Sequence, residues 1–228
     1  PSRGRILLLH GWTGRAAFMS AFIQPLVSVG FEVLAVDLPA HGHSSGKTLQ
    51  IPKAVAALHA VHAALGPWRG IVAHSFGGIV AASLLVHAVE GFPAIPVDGL
   101  VLISAPNSMP DLFHWFGQAI GLNARAQQCF NANVQRLSGR KLETFVGANF
   151  LRDAAVRTLV LHAPDDKEVG YANAEALAKA GQKIRLVPLD GLGHRRILYA
   201  PATVRAVETF FDSVTDRDDA QYGSAKNC

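Results

Sequence analysis

The stretch Gly70-Ile71-Val72-Ala73-His74-Ser75-Phe76-Gly77-Gly78 decides the fold of this chain. The segment Gly70–His74 is largely apolar along both faces of an extended chain, which is typical of a strand buried in a parallel sheet. A helical pattern follows the serine at once, because apolar residues recur at Ile79, Ala82, Leu85 and Val89. Ser75 therefore occupies a sharp strand-to-helix turn, and such a turn requires small neighbours such as Gly77 and Gly78.

Similar apolar segments alternate with helical patterns along the whole chain. Helical stripes run from Val55 to Leu65, from Ile79 to Val89, and from Val204 to Phe211, where Pro201 is suited to the first turn. This alternation predicts an α/β fold with a doubly wound, mostly parallel sheet and helices on both faces. Functional sites in such folds lie at the C-terminal ends of the strands. The six predicted strands are Arg5–His10, Phe31–Val36, Gly70–His74, Leu100–Ile103, Arg157–His162 and Lys183–Pro188.

Composition excludes several classes of protein. The chain has 228 residues, 50% of them hydrophobic, which is enough for one sizeable core. The net charge of +4 comes from scattered residues rather than a basic run, so no nucleic-acid partner is expected. Two separate cysteines, Cys129 and Cys228, form neither a disulfide framework nor a metal cluster, and they suit a cytoplasmic protein. No basic-then-apolar leader follows Pro1, and no apolar run approaches the roughly 20 residues of a membrane span.

The strand pattern stops between Asn107 and Arg152. This segment follows the end of a predicted strand, so we interpret residues 107–152 as a helical cap insertion over the site. Two ordinary core helices remain the alternative. Residues 1–106 and 153–215 then form the core, and the polar residues 216–228 form a C-terminal tail. The aromatic residues of the insertion are Phe113, Trp115, Phe116, Phe130, Phe145 and Phe150.

Three motifs resemble those of the α/β-hydrolase superfamily, in particular its serine esterases and lipases. Leu8–Trp12 is similar to the oxyanion segment, and Asp37–Ser44 is similar to the D-x-P-x-H-G-x-S loop. Ala73–Gly78 resembles the nucleophile elbow, with Ala73 where the family usually has glycine. The resemblance covers nearly the whole chain, although the residues before Arg5 are too few for the family's opening hairpin.

The resemblance implies a catalytic triad in the order Ser, acid, His. Ser75 takes the position of the nucleophile. His194, in a loop with flanking glycines after the last predicted strand, resembles the catalytic histidine. Ala163–Val169 resembles the G-x-x-D-x-x-V segment that carries the acid, and counting from Ala163 leads to Asp166. The adjacent Asp165 remains an alternative at this stage.

The same resemblance implies an oxyanion hole made by the backbone N–H groups of Trp12 and Phe76. The Trp12 side chain is equally interpretable as a pocket wall, and we add Phe113, Trp115 and Phe116 as candidates for the substrate pocket. His41-x-His43 has the spacing of a metal pair, but a third ligand at suitable spacing is missing. We therefore expect neither a metal nor another cofactor.

These residues predict a serine hydrolase that cleaves a small, hydrophobic carboxylic ester through an acyl-enzyme. Thioester and carbon–carbon bond hydrolysis and perhydrolysis use the same triad and remain alternatives. A ligand-binding or signalling module on the same fold is an alternative of a different class. The sequence does not determine the oligomeric state.

Overall fold

The structure, a computed structural model, describes residues 2–138 and 141–223 of the chain. At the centre of this part lies a six-stranded sheet with the order β2-β1-β3-β4-β5-β6. All its neighbouring strands are parallel, which confirms the predicted α/β architecture. The strands are β1 (Arg5–Leu9), β2 (Glu32–Val36), β3 (Gly70–His74), β4 (Gly99–Ile103), β5 (Arg157–His162) and β6 (Ile184–Pro188).

The strand order reverses at β1. β2 lies on one side of β1 and β3 on the other. Connections that leave the C-terminal ends of β1 and β3 therefore run in opposite directions, and a crevice opens between them. Gly11 and Trp12 follow β1, and Ser75 follows β3. The topology thus places the predicted oxyanion segment and the predicted nucleophile beside the same crevice.

Helices cover both faces of the sheet, because alternate residues of its strands point to opposite sides. Leu7 and Leu9 belong to one buried cluster, and Ile6 and Leu8 belong to the other. In the described part, two 3-10 helices (Ala16–Phe22 and Leu142–Thr144) accompany α1 (Ile23–Ser28), α2 (Ile51–Leu65), α3 (Phe76–Leu84), α4 (Met109–Ala119), α5 (Ala124–Ser138), α6 (Gly147–Ala154), α7 (Ala172–Ala178), α8 (Gly193–Arg196) and α9 (Pro201–Gly223). The first cluster includes residues of α2, α3, α6 and α7, and the second includes residues of α1 and α9.

Two helix ends differ from the predicted ones. α3 ends at Leu84, whose carbonyl accepts a hydrogen bond from Ile95 N at 2.8 Å, although the apolar stripe continues to Val89. Leu85 and Val89 are still buried, so their spacing reflects contact with the core rather than further helix. α9 begins at Pro201 as predicted and continues to Gly223. The helix therefore includes residues 216–223 of the predicted tail, and the remaining residues, 224–228, lie outside the described residues.

The insertion leaves the core through a narrow neck. Ser108 and Val146 form an antiparallel β-bridge. Beside it, Gly147 N donates a hydrogen bond to Asn107 O at 2.7 Å. α4, α5 and the second 3-10 helix lie between the two sides of this neck. α6 follows it and contacts α3 and α7 in the core layer. The excursion from the core therefore spans residues 108–146, a shorter segment than the predicted 107–152.

Candidate active site

Ser75 occupies a strained turn between β3 and α3. Its φ of 51° and ψ of −125° lie outside the regions that non-glycine residues usually adopt. The two following glycines allow α3 to begin so close to the sheet. A Cβ atom at Gly77 would lie 2.6 Å from His10 O, and one at Gly78 would lie 2.5 Å from Ala105 Cβ. The small residues predicted around the serine thus accommodate the ends of β1 and β4.

The His194 side chain bridges Ser75 and Asp166. Its Nδ1 lies 2.8 Å from Asp166 Oδ2, and its Nε2 lies 3.1 Å from Ser75 Oγ. A carboxylate accepts hydrogen bonds, so Nδ1 carries the proton, and Nε2 of the neutral ring accepts from the serine hydroxyl. The flanking residues Gly191 and Gly193 have φ values of 74° and 58°. The loop therefore uses the conformations that glycine permits.

Of the two adjacent aspartates, Asp166 contacts the imidazole. Its side chain is fully buried, and its Oδ1 accepts hydrogen bonds from Glu168 N and Val169 N, both at 2.9 Å. Asp165 is exposed, and its Oδ1 accepts a hydrogen bond from Gly193 N at 3.3 Å. The Asp165 side chain thus stabilises the loop of His194 by accepting a hydrogen bond from the backbone of that loop.

Hydrogen bonds keep Asp166 ionised in spite of its burial. Burial alone would raise the pKa of this carboxyl group. Hydrogen bonds from His162 and His194 outweigh burial and hold the pKa of Asp166 well below its usual range. The carboxylate can therefore both orient the imidazole of His194 and stabilise its protonated form.

His162, at the end of β5, is a contributor that the sequence prediction missed. Its Nε2 donates to Val169 O at 2.7 Å and lies 3.4 Å from Asp166 Oδ2. The His162 ring is fully buried. It closes the turn that carries the acid and also faces the carboxylate. A histidine at the end of a strand, four residues before the acid, was the available sequence signal.

His74 supports the histidine loop from the other side. Its Nε2 donates to His194 O at 2.9 Å, and the two rings lie 4.8 Å apart between centroids. Burial lowers the pKa of His74 to about 3, so this ring is neutral at physiological pH. The residue immediately before Ser75 thus helps to fix the backbone that carries His194.

The loop after β1 packs directly against the serine. A Cβ atom at Gly11 would lie 2.8 Å from Ser75 Cβ, so this position has room only for glycine. Next to it, the ring centroids of Trp12 and Phe76 are 6.0 Å apart. The two residues predicted to donate oxyanion N–H groups therefore flank Ser75.

The D-x-P-x-H-G-x-S segment holds this loop in place. His10 Nε2 accepts a hydrogen bond from Leu38 N at 2.9 Å, and His41 Nε2 accepts one from Thr13 N at 3.1 Å. Asp37 Oδ1 accepts a hydrogen bond from Ala16 N at 2.7 Å. Hydrogen bonds from backbone N–H groups lower the pKa of Asp37. These contacts connect the loops after β1 and β2.

The histidine pair His41-x-His43 has structural roles in this arrangement. His41 Nδ1 donates to Pro39 O at 3.0 Å, and His43 N donates to Asp37 Oδ2 at 2.8 Å, while the His43 side chain is fully exposed. Across residues 2–138 and 141–223, no group of three His, Cys, Asp or Glu side chains is arranged to hold a metal ion.

A cavity of about 620 Å³ opens above Ser75 and His194. Of the predicted pocket residues, Trp12, Trp115 and Phe116 line it. Phe113 instead lines a smaller neighbouring cavity, on the other side of Trp12 and Phe76. Glu168 and Arg195 lie on the polar side of the larger cavity and form an ion pair at 3.0 Å.

Comparison with known proteins establishes the family. A family model of the alpha/beta hydrolase fold matches residues 4–191. The chain belongs to the α/β-hydrolase fold family. The match ends shortly before His194, so this residue is located by the structure and by the loop motif. No curated protein matches the sequence of this α/β-hydrolase.

Solved structures share the fold over nearly the whole length of this α/β-hydrolase. NosK from Streptomyces actuosus is 26% identical with a TM-score of 0.67, and the match covers 92% of this chain and 98% of NosK. A carboxylesterase structure from Nitrososphaera gargenis is 19% identical with a TM-score of 0.67, covering 94% and 92% of the two chains. A monoacylglycerol lipase from Paleococcus ferrophilus is 19% identical with a TM-score of 0.66, covering 94% and 96%. The last two likenesses show a common fold.

Among the residues that the structure describes, no helix has both the length and the apolar composition needed to cross a bilayer.

Proposed function

We propose that this α/β-hydrolase is a serine esterase that cleaves a carboxylic ester through an acyl-enzyme on Ser75. The observation that carries the proposal is the continuous chain of contacts from Ser75 Oγ through His194 to Asp166, with distances of 3.1 Å and 2.8 Å. These distances lie within the range over which a general base takes a proton from a nucleophile. Ser75 and His194 line a cavity with room for a small molecule.

In the first step, Ser75 Oγ attacks the ester carbonyl carbon while its proton moves to His194 Nε2. Asp166 fixes the tautomer in which Nδ1 carries a proton, and it stabilises the imidazolium that forms. The carbonyl π electrons move to the oxygen. This developing charge is expected to be stabilised by the N–H groups of Trp12 and Phe76, with Phe76 at the positive end of α3.

The tetrahedral intermediate then collapses. The carbon–oxygen bond to the alcohol breaks, and His194 Nε2 returns its proton to the leaving oxygen. Water next attacks the carbonyl carbon of the acyl-enzyme while one of its protons moves to the same nitrogen. The bond between this carbon and Ser75 Oγ then breaks, Oγ takes the proton back from His194 Nε2, and the acid product loses its own proton to solvent as it leaves. We favour an ester because its alcohol needs less help to leave than the amine of an amide does.

The experiment combines covalent labelling with an esterase assay. We expect a fluorophosphonate probe to label the wild-type chain, and p-nitrophenyl acetate to be hydrolysed faster than the background rate. Ser75→Ala should abolish both. Ser104→Ala is the matched control, since Ser104 is also buried with a positive φ of 47° at the end of the adjacent strand β4.

The control should retain labelling and turnover within about threefold, since Ser104 lies outside the proposed triad. Equal rates for the wild type and Ser75→Ala would overturn the assignment of the nucleophile. A folded wild-type chain that is neither labelled nor active would instead indicate the ligand-binding module considered above.

A further inference from the structure

A second cavity, of about 200 Å³, lies beneath the insertion and beside the catalytic one. Its walls are almost entirely apolar. α4 contributes Phe113, and α5 contributes Phe130 and Val134. On the core side, Ile51 at the start of α2 and Phe145 complete the enclosure. Thr48 and Gln50 add a small polar area to the wall. Such a cavity suits a hydrocarbon group, because burial of apolar surface is favourable.

Trp12 and Phe76 separate this apolar cavity from the catalytic cavity, because both residues line both spaces. Phe76 is the residue after Ser75, so the partition stands next to the nucleophile. The Trp12 ring stacks on Phe116 at 5.6 Å and meets Phe113 edge to face at 6.1 Å. Trp12 nevertheless remains 40% exposed. An exposed ring held by ring contacts can turn aside at lower cost than one packed in a core.

The position of His194 determines which part of an ester faces each cavity. His194 Nε2 must reach the leaving oxygen to protonate it, so the alcohol portion lies on the side of the histidine. His194, Glu168 and Arg195 all line the catalytic cavity, and none of them lines the apolar one. The acyl portion, on the other side of the carbonyl carbon, is therefore directed toward Trp12 and Phe76.

We propose that the apolar cavity holds the hydrocarbon chain of the acyl group, and that the Trp12 side chain limits the chain length that enters it. This inference rests on the proposed esterase function and specifies its substrate class: esters of apolar carboxylic acids longer than acetate. The Trp12 indole then has a role in specificity that is separate from the role proposed for its backbone N–H. Each methylene that leaves water for the cavity should raise kcat/KM about threefold to fourfold.

The experiment measures kcat/KM for p-nitrophenyl acetate, butanoate, hexanoate and octanoate. In the wild type, we expect kcat/KM to rise from acetate until the cavity is full. Val134→Trp places a large ring in the cavity, and the ratio of hexanoate to acetate should fall at least tenfold. Ile120→Trp is the matched control, because Ile120 is 55% exposed on the same insertion. Trp12→Ala should shift the preferred ester to a longer chain.

Leu137→Trp is a second variant that fills the cavity. Leu137 lines the cavity and is 54% exposed, so a larger side chain can be accommodated there. Its rate of fluorophosphonate labelling reports whether Ser75 and the surrounding fold are intact. A calorimetric titration with octan-1-ol measures chain binding without turnover. We expect saturable binding to the wild type and to Ser75→Ala, and at least tenfold weaker binding to Val134→Trp.

The outcomes separate this inference from the proposed function. Identical chain-length profiles in Val134→Trp, Leu137→Trp and the wild type would overturn it, as would a higher Tm in Val134→Trp with no change in profile, which indicates a packing void. Absence of octan-1-ol binding would overturn it as well. If the wild type shows neither esterase activity nor labelling but still binds octan-1-ol, the proposed esterase function is overturned and the cavity remains a site for an apolar ligand.

Discussion

The turn that carries Asp166 and the insertion above Ser75 are stabilised by different interactions. Asp166 receives two backbone N–H groups and the imidazole of His194, all between 2.8 Å and 2.9 Å. In the insertion, Phe113 and Phe130 meet ring to ring at 5.3 Å between centroids. Hydrogen bonds are directional and specify one geometry, whereas apolar contacts tolerate changes of shape if volume is conserved. This difference suits the proposed function, in which a rigid catalytic edge lies beneath a cap that limits the shape of the substrate.

The largest expected effect comes from exchanging the acid. Asp166→Asn should lower kcat by about 10⁴-fold, because an amide favours the wrong tautomer of His194. Asp165→Asn is the matched control and should change kcat by less than about threefold, since Asp165 contacts the loop backbone from an exposed position. Steady-state kinetics on p-nitrophenyl acetate measure both. A larger loss in Asp165→Asn than in Asp166→Asn would reverse the assignment of the acid.

The second prediction concerns acid stability of the catalytic edge. Folding lowers the pKa of His74 from 6.5 to about 3, so the unfolded chain binds the proton more readily. This contribution to stability is complete above pH 6.5 and is lost as the pH falls toward 3. His74 should contribute about 1.4 kcal/mol per pH unit to the slope, in addition to the contributions of His10, His59 and His62, whose pKa values are also lowered by burial.

Urea unfolding of the chain at pH 7, 6 and 5 tests this slope. The range lies above the usual pKa of Asp166, 3.8, below which that carboxylate also begins to lose its contribution. His74→Gln retains a donor toward His194 O and should lower the slope by about 1.4 kcal/mol per pH unit, leaving the contributions of the other buried histidines. His43→Gln is the control, because the His43 side chain is fully exposed. An unchanged slope in His74→Gln would refute the assignment of this effect to His74.

His162 lies outside the proposed triad, and we expect it to hold Asp166 in position. His162→Leu removes the contacts to Val169 O and Asp166, and we expect kcat to fall about 10-fold to 100-fold from displacement of the acid. KM should change little, because His162 does not line either cavity. His162→Gln, which keeps a donor, should recover most of the loss. A change confined to stability, with kcat intact, would reduce His162 to a packing residue.

The smallest effect is expected at the neck of the insertion. Asn107 Oδ1 accepts a hydrogen bond from Ala148 N at 2.8 Å, at the start of α6. Asn107→Ala should lower the free energy of unfolding by about 1 kcal/mol, because that N–H loses its partner. Asn149→Ala, on the exposed side of the same helix, should cost less than about 0.5 kcal/mol. Urea unfolding compares the two variants. Equal losses of unfolding free energy would show that the Asn107 hydrogen bond stabilises the fold no more than an exposed side chain of α6 does.

Much of the core was predictable because local pattern and burial agree there. All six strands appear within one residue of their predicted ends, since strands buried on both faces consist of nearly continuous apolar residues. The end of α3 was not predictable in this way. Leu85 and Val89 continue the apolar spacing, but they reach the core from a turn and a loop. Periodicity reports which residues are buried, and it does not distinguish the backbone conformations that bury them.

The sequence by itself determined the parallel sheet, the turn at Ser75 and the order of Ser75, the acid segment and His194 along the chain. These features depend on apolar runs, on glycines and on order, which are all local or linear properties. Tertiary structure decided that Asp166 rather than Asp165 contacts the imidazole. The two adjacent aspartates have the same side chain and differ only in the direction in which the turn points it. It also decided that His162 faces Asp166 and that Trp12 separates two cavities. Those contacts join segments distant in sequence, and their geometry exists only once the sheet and the insertion have packed together.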